Sequence, residues 1–230
     1  MEGSLNAIYI GKSMRKQLVI FDLDGTLLNT IADIAMAVNH ALSALGYPTH
    51  SEEVVKSFVG NGVSKLLERA LPEDKRTEEN VSLLRKHFTE YYDKHNADFS
   101  SPYPGIQSLL SQLQRNEVML AVASNKYQQA TEKLVAHYFP GIDFIRVLGQ
   151  RPDVPVKPSP EIVHEIISAA NVCKESILYV GDSAVDMQTA SNAGIDAIGV
   201  SWGFRPRAEL EAYAPLAIVD DASELGQFVL

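Results

Sequence analysis

The chain has 230 residues, of which 46% are hydrophobic and 21% are charged, and its formal net charge at pH 7 is -9. A chain of this length and composition can bury a full hydrophobic core and a smaller second unit. Nucleic acids and anionic membranes bind basic surfaces, so the acidic balance argues against both as the main partner.

The cysteine content and the first residues of the chain indicate which cellular compartment the protein belongs to and which kinds of site it lacks. Cys173 is the single cysteine, which excludes an intramolecular disulfide and a multi-cysteine metal site. No apolar stretch approaches the roughly 20 residues of a membrane-spanning helix, and residues 1–13 lack the long apolar core of a signal peptide. We expect a cytoplasmic protein whose core begins near residue 14, with residues 1–13 as an extension or tag remnant.

The first predicted strand covers residues 18–21, an uninterrupted apolar run typical of a buried parallel strand. The sequence DLDGT follows directly at residues 22–26. Asp22 therefore stands beside a core, where a charge is costly without a partner. Asp24 lies two residues on along an extended segment, so both carboxylates are expected to point to the same side.

Residues 29–100 carry helix signals and no buried strand. Apolar residues recur there at helical spacing, beginning with Ile31, Ile34, Ala35, Val38, Leu42 and Leu45. Gly46 supplies a stop, and further helices are predicted over 63–71 and 77–96. The pattern predicts an all-helical unit inserted after the first strand, with connections near 29–30 and 101–105.

After residue 105, predicted helices and strands alternate. Strands are expected over 118–123, 144–148, 176–180, 197–200 and 216–219. Helices are expected from residue 106 and over 127–138, 160–170 and 184–193. This alternation predicts an α/β fold with a doubly wound, Rossmann-like parallel sheet. We divide the chain into a catalytic core of 14–28 and 101–230 and a helical domain of 29–100.

Three further polar segments join the acids at residues 22–26. Ser124 and Asn125 follow the predicted strand that ends at residue 123, and GDSAVD at 181–186 follows the strand that ends at residue 180. Lys157 and Pro158 lie between predicted elements. Ligands of open α/β sheets bind beyond the carboxyl ends of the strands. The segments are therefore expected to form one crevice.

These residue types suit the hydrolysis of a phosphomonoester, which requires a nucleophile, charge neutralisation and protonation of the leaving alkoxide. Asp22 can attack phosphorus and form an aspartyl phosphate that water then cleaves. Asp24 can protonate the leaving oxygen and later deprotonate the water, a role worth about 10²- to 10⁴-fold in rate. Lys157 offers a compact positive charge to the phosphoryl oxygens and to the nucleophile.

Two neighbouring carboxylates repel each other and the phosphate, so a cation is expected between them. Asp182, at another strand end, adds a third hard oxygen ligand, and Mg²⁺ suits such a site. Asp186 follows by about one helical turn. It is expected to hold a metal-bound water or Lys157 rather than the metal itself.

Hydroxyl and amide groups near these acids are candidates for binding the transferring phosphoryl group. The candidates in the core are Gly25, Thr26, Ser124, Asn125 and Lys157. In the helical unit, a turn and helix start could bind an anionic group through Gly60, Asn61 and Lys65. For Trp202, Phe204 and Arg205, which follow a strand end, a site role and a packing or surface role are equally open.

The sequence resembles the haloacid dehalogenase superfamily and, within it, the phosphoglycolate phosphatase group. The resemblance lies in four motifs in a fixed order: DLDGT, a hydroxyl residue with Asn, a Lys, and GDSxxDM. The resemblance runs from about residue 18 to the C-terminus. It implies a helical cap at 29–100 and the catalytic residues Asp22, Asp24, Ser124 and Lys157. It also implies that Mg²⁺ is bound by Asp22, by the backbone carbonyl of Asp24 and by Asp182. Asn29 and Ser124 stand where the group commonly has Asp and Thr, and both keep hydrogen-bonding capacity.

Each residue alone has a structural explanation, such as a helix cap, a turn or a surface lysine, but four motifs in order argue against coincidence. We expect a phosphatase that acts on a small phosphorylated metabolite, with 2-phosphoglycolate favoured by the resemblance alone. A sugar-phosphate mutase, a pyrophosphatase and a non-catalytic phosphate-binding module stay open, whereas a dehalogenase would have no use for Asp24. A monomer and a homodimer are both compatible with the sequence.

Overall fold

The computed structural model describes residues 16–230, and the predicted extension of residues 1–13 lies outside them. Within that part of the chain, no helix is both long and apolar enough to cross a membrane. Its strands are β1 Leu18–Phe21, β2 Leu28–Asn29, β3 Ser101–Pro102, β4 Met119–Tyr127, β5 Phe144–Gln150, β6 Ile177–Gly181, β7 Asp196–Val200 and β8 Ala217–Val219. Its α-helices are α1 Ile31–Ala44, α2 Glu52–Phe58, α3 Val63–Ala70, α4 Glu78–His95, α5 Ile106–Arg115, α6 Gln128–Tyr138, α7 Glu161–Ala170, α8 Ala184–Ala193, α9 Arg207–Glu211 and α10 Ala222–Val229.

Six of these strands form one parallel sheet in the order β5-β4-β1-β6-β7-β8. β1 lies inside the sheet, where Leu18 pairs with Met119 on one side and with Ile177 on the other. The chain moves outward from β1 in both directions, so the sheet is doubly wound and the carboxyl ends of β1, β4 and β6 are neighbours. The predicted fold class is confirmed.

The residues of β1 alternate between two hydrophobic cores, because successive strand residues point to opposite faces of a sheet. Val19 and Phe21 pack with apolar side chains of α5, α6 and α10. Leu18 and Ile20 pack with those of α7 and α8 on the other face. All four side chains are fully buried. The strand that carries the DLDGT sequence at its end is therefore held firmly from both sides.

The helices α1 to α4 follow one another between β2 and β3, and we call them the helical unit. They share an apolar core in which Leu67 and Phe88 are buried. β2 and β3 pair antiparallel at the base of the unit, so the chain leaves and re-enters the core at one place. The buried Asp33 carboxylate accepts hydrogen bonds from the amides of Phe99 and Ser100 and ties α1 to the returning segment.

The predicted alternation after residue 105 is confirmed, with two differences in detail. β4 continues to Tyr127, which pairs with Gln150 of β5, so α6 begins one residue later than expected. The short helices α2, α9 and α10, of 7, 5 and 8 residues, were not individually predicted, because so few turns carry little periodicity. The domain boundaries at residues 29–100 stay a prediction, and the helical unit is compatible with them.

Candidate active site

The four polar segments meet at the carboxyl ends of β1, β4 and β6. A cavity opens there between the sheet and the helical unit. The predicted core residues that line it are Asp22, Asp24, Ser124, Asn125 and Asp182. Lys157, in the loop between β5 and α7, lies beside the cavity with its ammonium 2.9 Å from Asp22 Oδ1.

The Lys157 ammonium is buried, with 2% of the residue exposed. Its Nζ lies 2.7 Å from Asp186 Oδ1, 2.9 Å from the Ala123 carbonyl oxygen and 3.0 Å from Tyr179 Oη. Because an ammonium group has only three N–H donors, these contacts use all of them. Asp22 Oδ1 is close enough to feel the positive charge, but it has no hydrogen-bond partner among the described residues.

Burial and mutual repulsion shift the pKa values of the acids. Burial raises the pKa of Asp22 to about 7, against the opposing charge of Lys157, and Asp186 and Asp24 add to the rise. Burial, with Asp186 and Asp22, also raises the pKa of Asp182 well above its usual range. For Lys157, burial disfavours the charge, but Asp186 and Asp22 outweigh it and hold the pKa well above its ordinary value. The site therefore has more negative charge than its buried lysine neutralises.

The donor set fits a divalent cation. Carboxylate oxygens of Asp22, Asp182 and Asp186 lie within 4.8 Å of one another. Asp186 is already satisfied, since Oδ1 accepts from Lys157 and Oδ2 accepts from the Ser183 amide and hydroxyl at 3.1 and 2.6 Å. Asp22, whose Oδ1 accepts no hydrogen bond from the described part of the chain, and Asp182 are therefore the side chains suited to Mg²⁺. Asp186 is placed to position Lys157.

The backbone approaches Asp182 so closely at two positions, Gly25 and Gly203, that only glycine fits there. The Phe204 amide donates to Asp182 Oδ2 at 2.6 Å, and the Thr26 hydroxyl lies 3.4 Å from Oδ1. A Cβ atom at Gly25 would lie 2.3 Å from Asp182 Oδ2, and one at Gly203 would lie 2.2 Å from Asp182 Cβ. The Gly25 amide donates to a carbonyl within its own turn at 2.8 Å. The contribution of Gly25 is thus this close approach rather than an amide directed at the cavity.

Asp24 is held by two residues that the sequence analysis did not select. The Thr30 hydroxyl donates to Asp24 Oδ1 at 2.6 Å. The Lys126 ammonium donates to Oδ1 at 2.9 Å and to Oδ2 at 3.0 Å. Both Lys126 and Tyr92, whose ring lies 4.8 Å from the ammonium, line the cavity. The one available signal for Lys126 was its position directly after Ser124 and Asn125, whereas Tyr92 looked like an apolar helix residue.

Asn125 joins three segments of the site. Its side-chain amide donates to the Gly60 carbonyl at 2.9 Å and to the Lys157 carbonyl at 3.0 Å. Its side-chain oxygen accepts from the Lys157 amide at 2.8 Å. The hydroxyl of the neighbouring Ser124 accepts from the Lys126 amide at 3.2 Å. The Asn125 side chain is therefore a brace between β4, the Lys157 loop and the helical unit.

The three residues predicted in the helical unit are placed differently from one another. Gly60 lines the cavity, in the loop between α2 and α3. Asn61 accepts a hydrogen bond from Arg69 at 2.9 Å and lines a neighbouring surface groove. Lys65 has 58% of its side chain exposed and pairs with Glu68 at 2.6 Å. The structure thus brings Gly60, but neither Asn61 nor Lys65, to the cavity that holds the acids.

The loop after β7 connects the core to the helical unit. Arg205 donates to the carbonyl oxygens of Lys56, at 2.9 Å, and of Ser57 and Val59, at the C-terminal end of α2. Trp202 donates from its ring nitrogen to the Thr26 carbonyl at 3.1 Å. The sequence left the role of this loop open. In the structure the loop contacts both the core, at Thr26, and the helical unit, at the end of α2.

Comparisons with known proteins agree with this geometry. The chain matches the haloacid dehalogenase-like hydrolase family over residues 19–200. It is 32% identical over 218 residues to the phosphoglycolate phosphatase of Vibrio parahaemolyticus, and this alignment covers 93% of this chain and 96% of the relative. The phosphoglycolate phosphatase of Mannheimia succiniciproducens is 31% identical over 219 residues, with 93% and 98% covered.

A crystal structure of a presumed phosphoglycolate phosphatase from Lactobacillus delbrueckii subsp. bulgaricus superposes with a TM-score of 0.88 at 33% identity. The superposition covers 94% of this chain and 99% of that one. Sequence and structure therefore agree along almost the whole length of the chain. The chain belongs to the haloacid dehalogenase superfamily, in its phosphoglycolate phosphatase-like group, and is a hydrolase of the phosphatase class.

Proposed function

We propose that this enzyme is a Mg²⁺-dependent phosphatase that hydrolyses a small phosphomonoester through an aspartyl phosphate on Asp22. The observation that carries the proposal is the buried Asp22 Oδ1, which has no hydrogen-bond partner within residues 16–230 and lies beside the charged Lys157. A buried carboxylate oxygen that is ion-paired but accepts no hydrogen bond keeps its lone pairs for reaction, and a bound ligand would offset the cost of burying it. The names of the relatives support 2-phosphoglycolate as the substrate.

The first step is attack of Asp22 on phosphorus. The new bond joins a carboxylate oxygen to phosphorus, and the bond between phosphorus and the bridging oxygen breaks. Asp24, which lines the same cavity, takes up a proton from solvent as substrate binds and gives it to the leaving alkoxide, so the alcohol departs neutral. The product of this step is an aspartyl phosphate on the enzyme.

The second step is hydrolysis of that mixed anhydride. Asp24, now a carboxylate, takes a proton from water as the water attacks phosphorus. The bond between phosphorus and Asp22 breaks and inorganic phosphate is released. In the free enzyme Asp186 and Asp22 outweigh burial and hold the pKa of Lys157 well above its ordinary value, so the lysine enters the reaction charged and offsets negative charge beside the nucleophile.

The metal is proposed to be bound by the side chains of Asp22 and Asp182 and by the main-chain carbonyl of Asp24. When bound, Mg²⁺ would supply the positive charge that lets an anionic substrate enter a cavity lined by acids. Asp186 is proposed to keep Lys157 in place, through the contact of 2.7 Å, rather than to bind the metal directly.

The proposal is tested by phosphate release from a panel of 2-phosphoglycolate, pyrophosphate, nucleoside monophosphates and hexose phosphates, with Mg²⁺ and with EDTA. Strong metal-dependent turnover of 2-phosphoglycolate is the expected result. Phosphate release from another compound of the panel alone would identify that compound as the substrate and would leave the proposed mechanism unchanged. Conversion of a hexose 1-phosphate without phosphate release would instead identify a mutase.

The nucleophile is tested by Asp22→Asn, which keeps the shape of the side chain and removes its charge. We expect turnover to fall by at least about 10³-fold, because the amide does not attack phosphorus. Asp143→Asn, at an exposed position between α6 and β5, is the matched control and should retain wild-type turnover. Appreciable steady-state turnover by Asp22→Asn would exclude Asp22 as the nucleophile.

A further inference from the structure

Lys126 is a buried cation that the proposed reaction does not use. Its side chain is 5% exposed, and its ammonium donates to both carboxylate oxygens of Asp24. The same ammonium lies 4.8 Å from the centre of the Tyr92 ring. Lys126, Asp24 and Tyr92 all line the cavity that holds the nucleophile. A cation in this position is close to any group attached to the leaving oxygen.

Tyr92 adds a second, independent observation. The residue is 1% exposed, and its hydroxyl has no hydrogen-bond partner within the described part of the chain. Burial, with the nearby charge of Asp24, raises its pKa well above the ordinary value, so the hydroxyl stays a donor. A buried donor without an acceptor is unfavourable. An acceptor brought by a ligand would remove that penalty.

The other cations around the cavity are committed to protein groups. Lys157 uses its three N–H donors on Asp186, Ala123 and Tyr179. Arg205 donates to main-chain carbonyls at the end of α2. Lys126 differs because its partner, Asp24, must itself move a proton in the proposed reaction. Asp24 loses its charge when it is protonated to act as the acid, and it keeps the Thr30 hydroxyl as a partner, so a substrate carboxylate can compete for the ammonium.

The position of Lys126 relative to Asp24 specifies what it would bind. Asp24 is placed to protonate the bridging oxygen, so the ammonium at 2.9 Å from it lies on the leaving-group side of the cavity. In the phosphate ester of a short 2-hydroxy acid, the carboxylate is attached to the carbon that bears the bridging oxygen. A carboxylate is therefore delivered close to the ammonium whenever the phosphate faces Asp22.

We propose that Lys126 and Tyr92 form a subsite for a carboxylate on the leaving group, and that the Asp24 carboxylate occupies this subsite in the free enzyme. The inference rests on the proposed function and assigns the residues that would select a substrate with a carboxylate beside its phosphate ester. The substrate carboxylate takes a charge-assisted hydrogen bond from the ammonium and a hydrogen bond from the Tyr92 hydroxyl. Neutral alcohol phosphates lack this contact.

The test measures binding by calorimetry to the Mg²⁺-loaded Asp24→Asn protein, in which proton transfer is blocked and the competing carboxylate is absent. The two ligands are 2-phosphoglycolate and its neutral amide, carbamoylmethyl phosphate. We expect the carboxylate ester to bind about 10- to 100-fold more tightly, the range of one charge-assisted hydrogen bond. Adding Lys126→Gln should remove that preference, and adding Lys126→Arg should keep part of it.

Two further variants complete the comparison. Adding Tyr92→Phe should weaken the binding of 2-phosphoglycolate about fivefold, the effect of one neutral hydrogen bond. Adding Lys86→Gln removes an equal charge from an exposed position on α4 and should leave the preference unchanged. Circular dichroism and Mg²⁺ titration of each variant check that the fold and the metal site are intact.

The outcomes separate this inference from the proposed function. Equal affinity of the two ligands in the Asp24→Asn protein, or a preference that survives Lys126→Gln, would overturn the subsite. An equal loss of affinity for both ligands in Lys126→Gln would also overturn it, because Lys126 would then only support the fold of the site. The phosphatase proposal is tested separately, and it would fail if the wild-type enzyme released no phosphate from any compound of the panel. The binding comparison does not depend on turnover.

Discussion

At the scale of single residues, the site is organised around one buried lysine. Lys157 is nearly inaccessible, yet it keeps its charge because Asp186 and Asp22 lie within 2.9 Å of it. Two anions around one cation leave a net negative charge, which is favourable only when a further cation joins them. The same imbalance that makes Asp22 unfavourable to bury supports its proposed roles as metal ligand and nucleophile.

Lys157→Met tests this arrangement, since methionine has similar length and no charge. We expect loss of phosphatase activity and a decrease in the free energy of unfolding of about 3 kcal/mol or more at pH 7, because Asp186 is left buried without its cation. Urea denaturation and phosphate release are the measurements. Lys86→Met, on the exposed face of α4, is the control and should match the wild type in both. A Lys157→Met protein as stable as wild type would show that the ion pair adds nothing to the fold.

At the scale of elements, Arg205 connects the loop after β7 to the C-terminal end of α2. The last carbonyl groups of a helix have no partner within it and carry partial negative charge. The guanidinium satisfies those of Lys56, Ser57 and Val59 together. This contact and the Asn125 bond to Gly60 hold the helical unit against the catalytic edge of the sheet.

Arg205→Ala should therefore loosen α2 without disturbing the sheet. We expect faster hydrogen exchange of amides in residues 52–62 and a loss of about 1–3 kcal/mol in the free energy of unfolding. Arg207→Ala is a matched control, because Arg207 pairs with Glu211 and Asp220 on the surface, where such pairs contribute less than about 1 kcal/mol. Unchanged exchange in α2 of Arg205→Ala would argue against this anchoring role.

At the scale of the whole molecule, the sheet order brings distant residues together. β1, β4 and β6 are neighbours, so acids separated by more than 150 residues of chain share one edge. The chain supplies the cores on both faces of the sheet, and their stability holds Asp22, Asp182 and Asp186 together against their mutual repulsion. Global stability without metal should therefore depend on pH.

The folded state raises the pKa of Asp22 from 3.8 to about 7, so between these values it binds one proton that the unfolded chain has lost. The free energy of unfolding of the metal-free protein should therefore fall as pH rises from about 4 to 7, by about 1.4 kcal/mol per pH unit from this group. Asp22→Asn should make the dependence less steep by that amount, measured by urea denaturation in EDTA. Asp143→Asn should follow the wild type. Parallel curves for Asp22→Asn and the wild type would contradict the shift.

Much of the fold was predictable from the sequence, because buried parallel strands and amphipathic helices have different periods. The DLDGT and GDSAVD segments were likewise found from their positions at strand ends. Lys126 and Tyr92 were not, because nothing local distinguishes a lysine that meets a carboxylate 102 residues away from one on the surface. Lys65 is the opposite case. It was selected because it lies near a helix start that could bind an anion, but in the structure its side chain pairs with Glu68 on the surface.

The sequence by itself determined the class of fold, the order of the elements and the acids proposed to carry the chemistry, since these depend on local periodicity and on motifs a few residues long. Only the tertiary structure decided which donors each acid meets. Asp186 accepts hydrogen bonds from Lys157 and Ser183, whereas Asp22 Oδ1 is ion-paired with Lys157 but accepts no hydrogen bond from residues 16–230. Such differences depend on hydrogen-bond geometry between segments far apart in the chain, and this geometry is defined only when the sheet has formed.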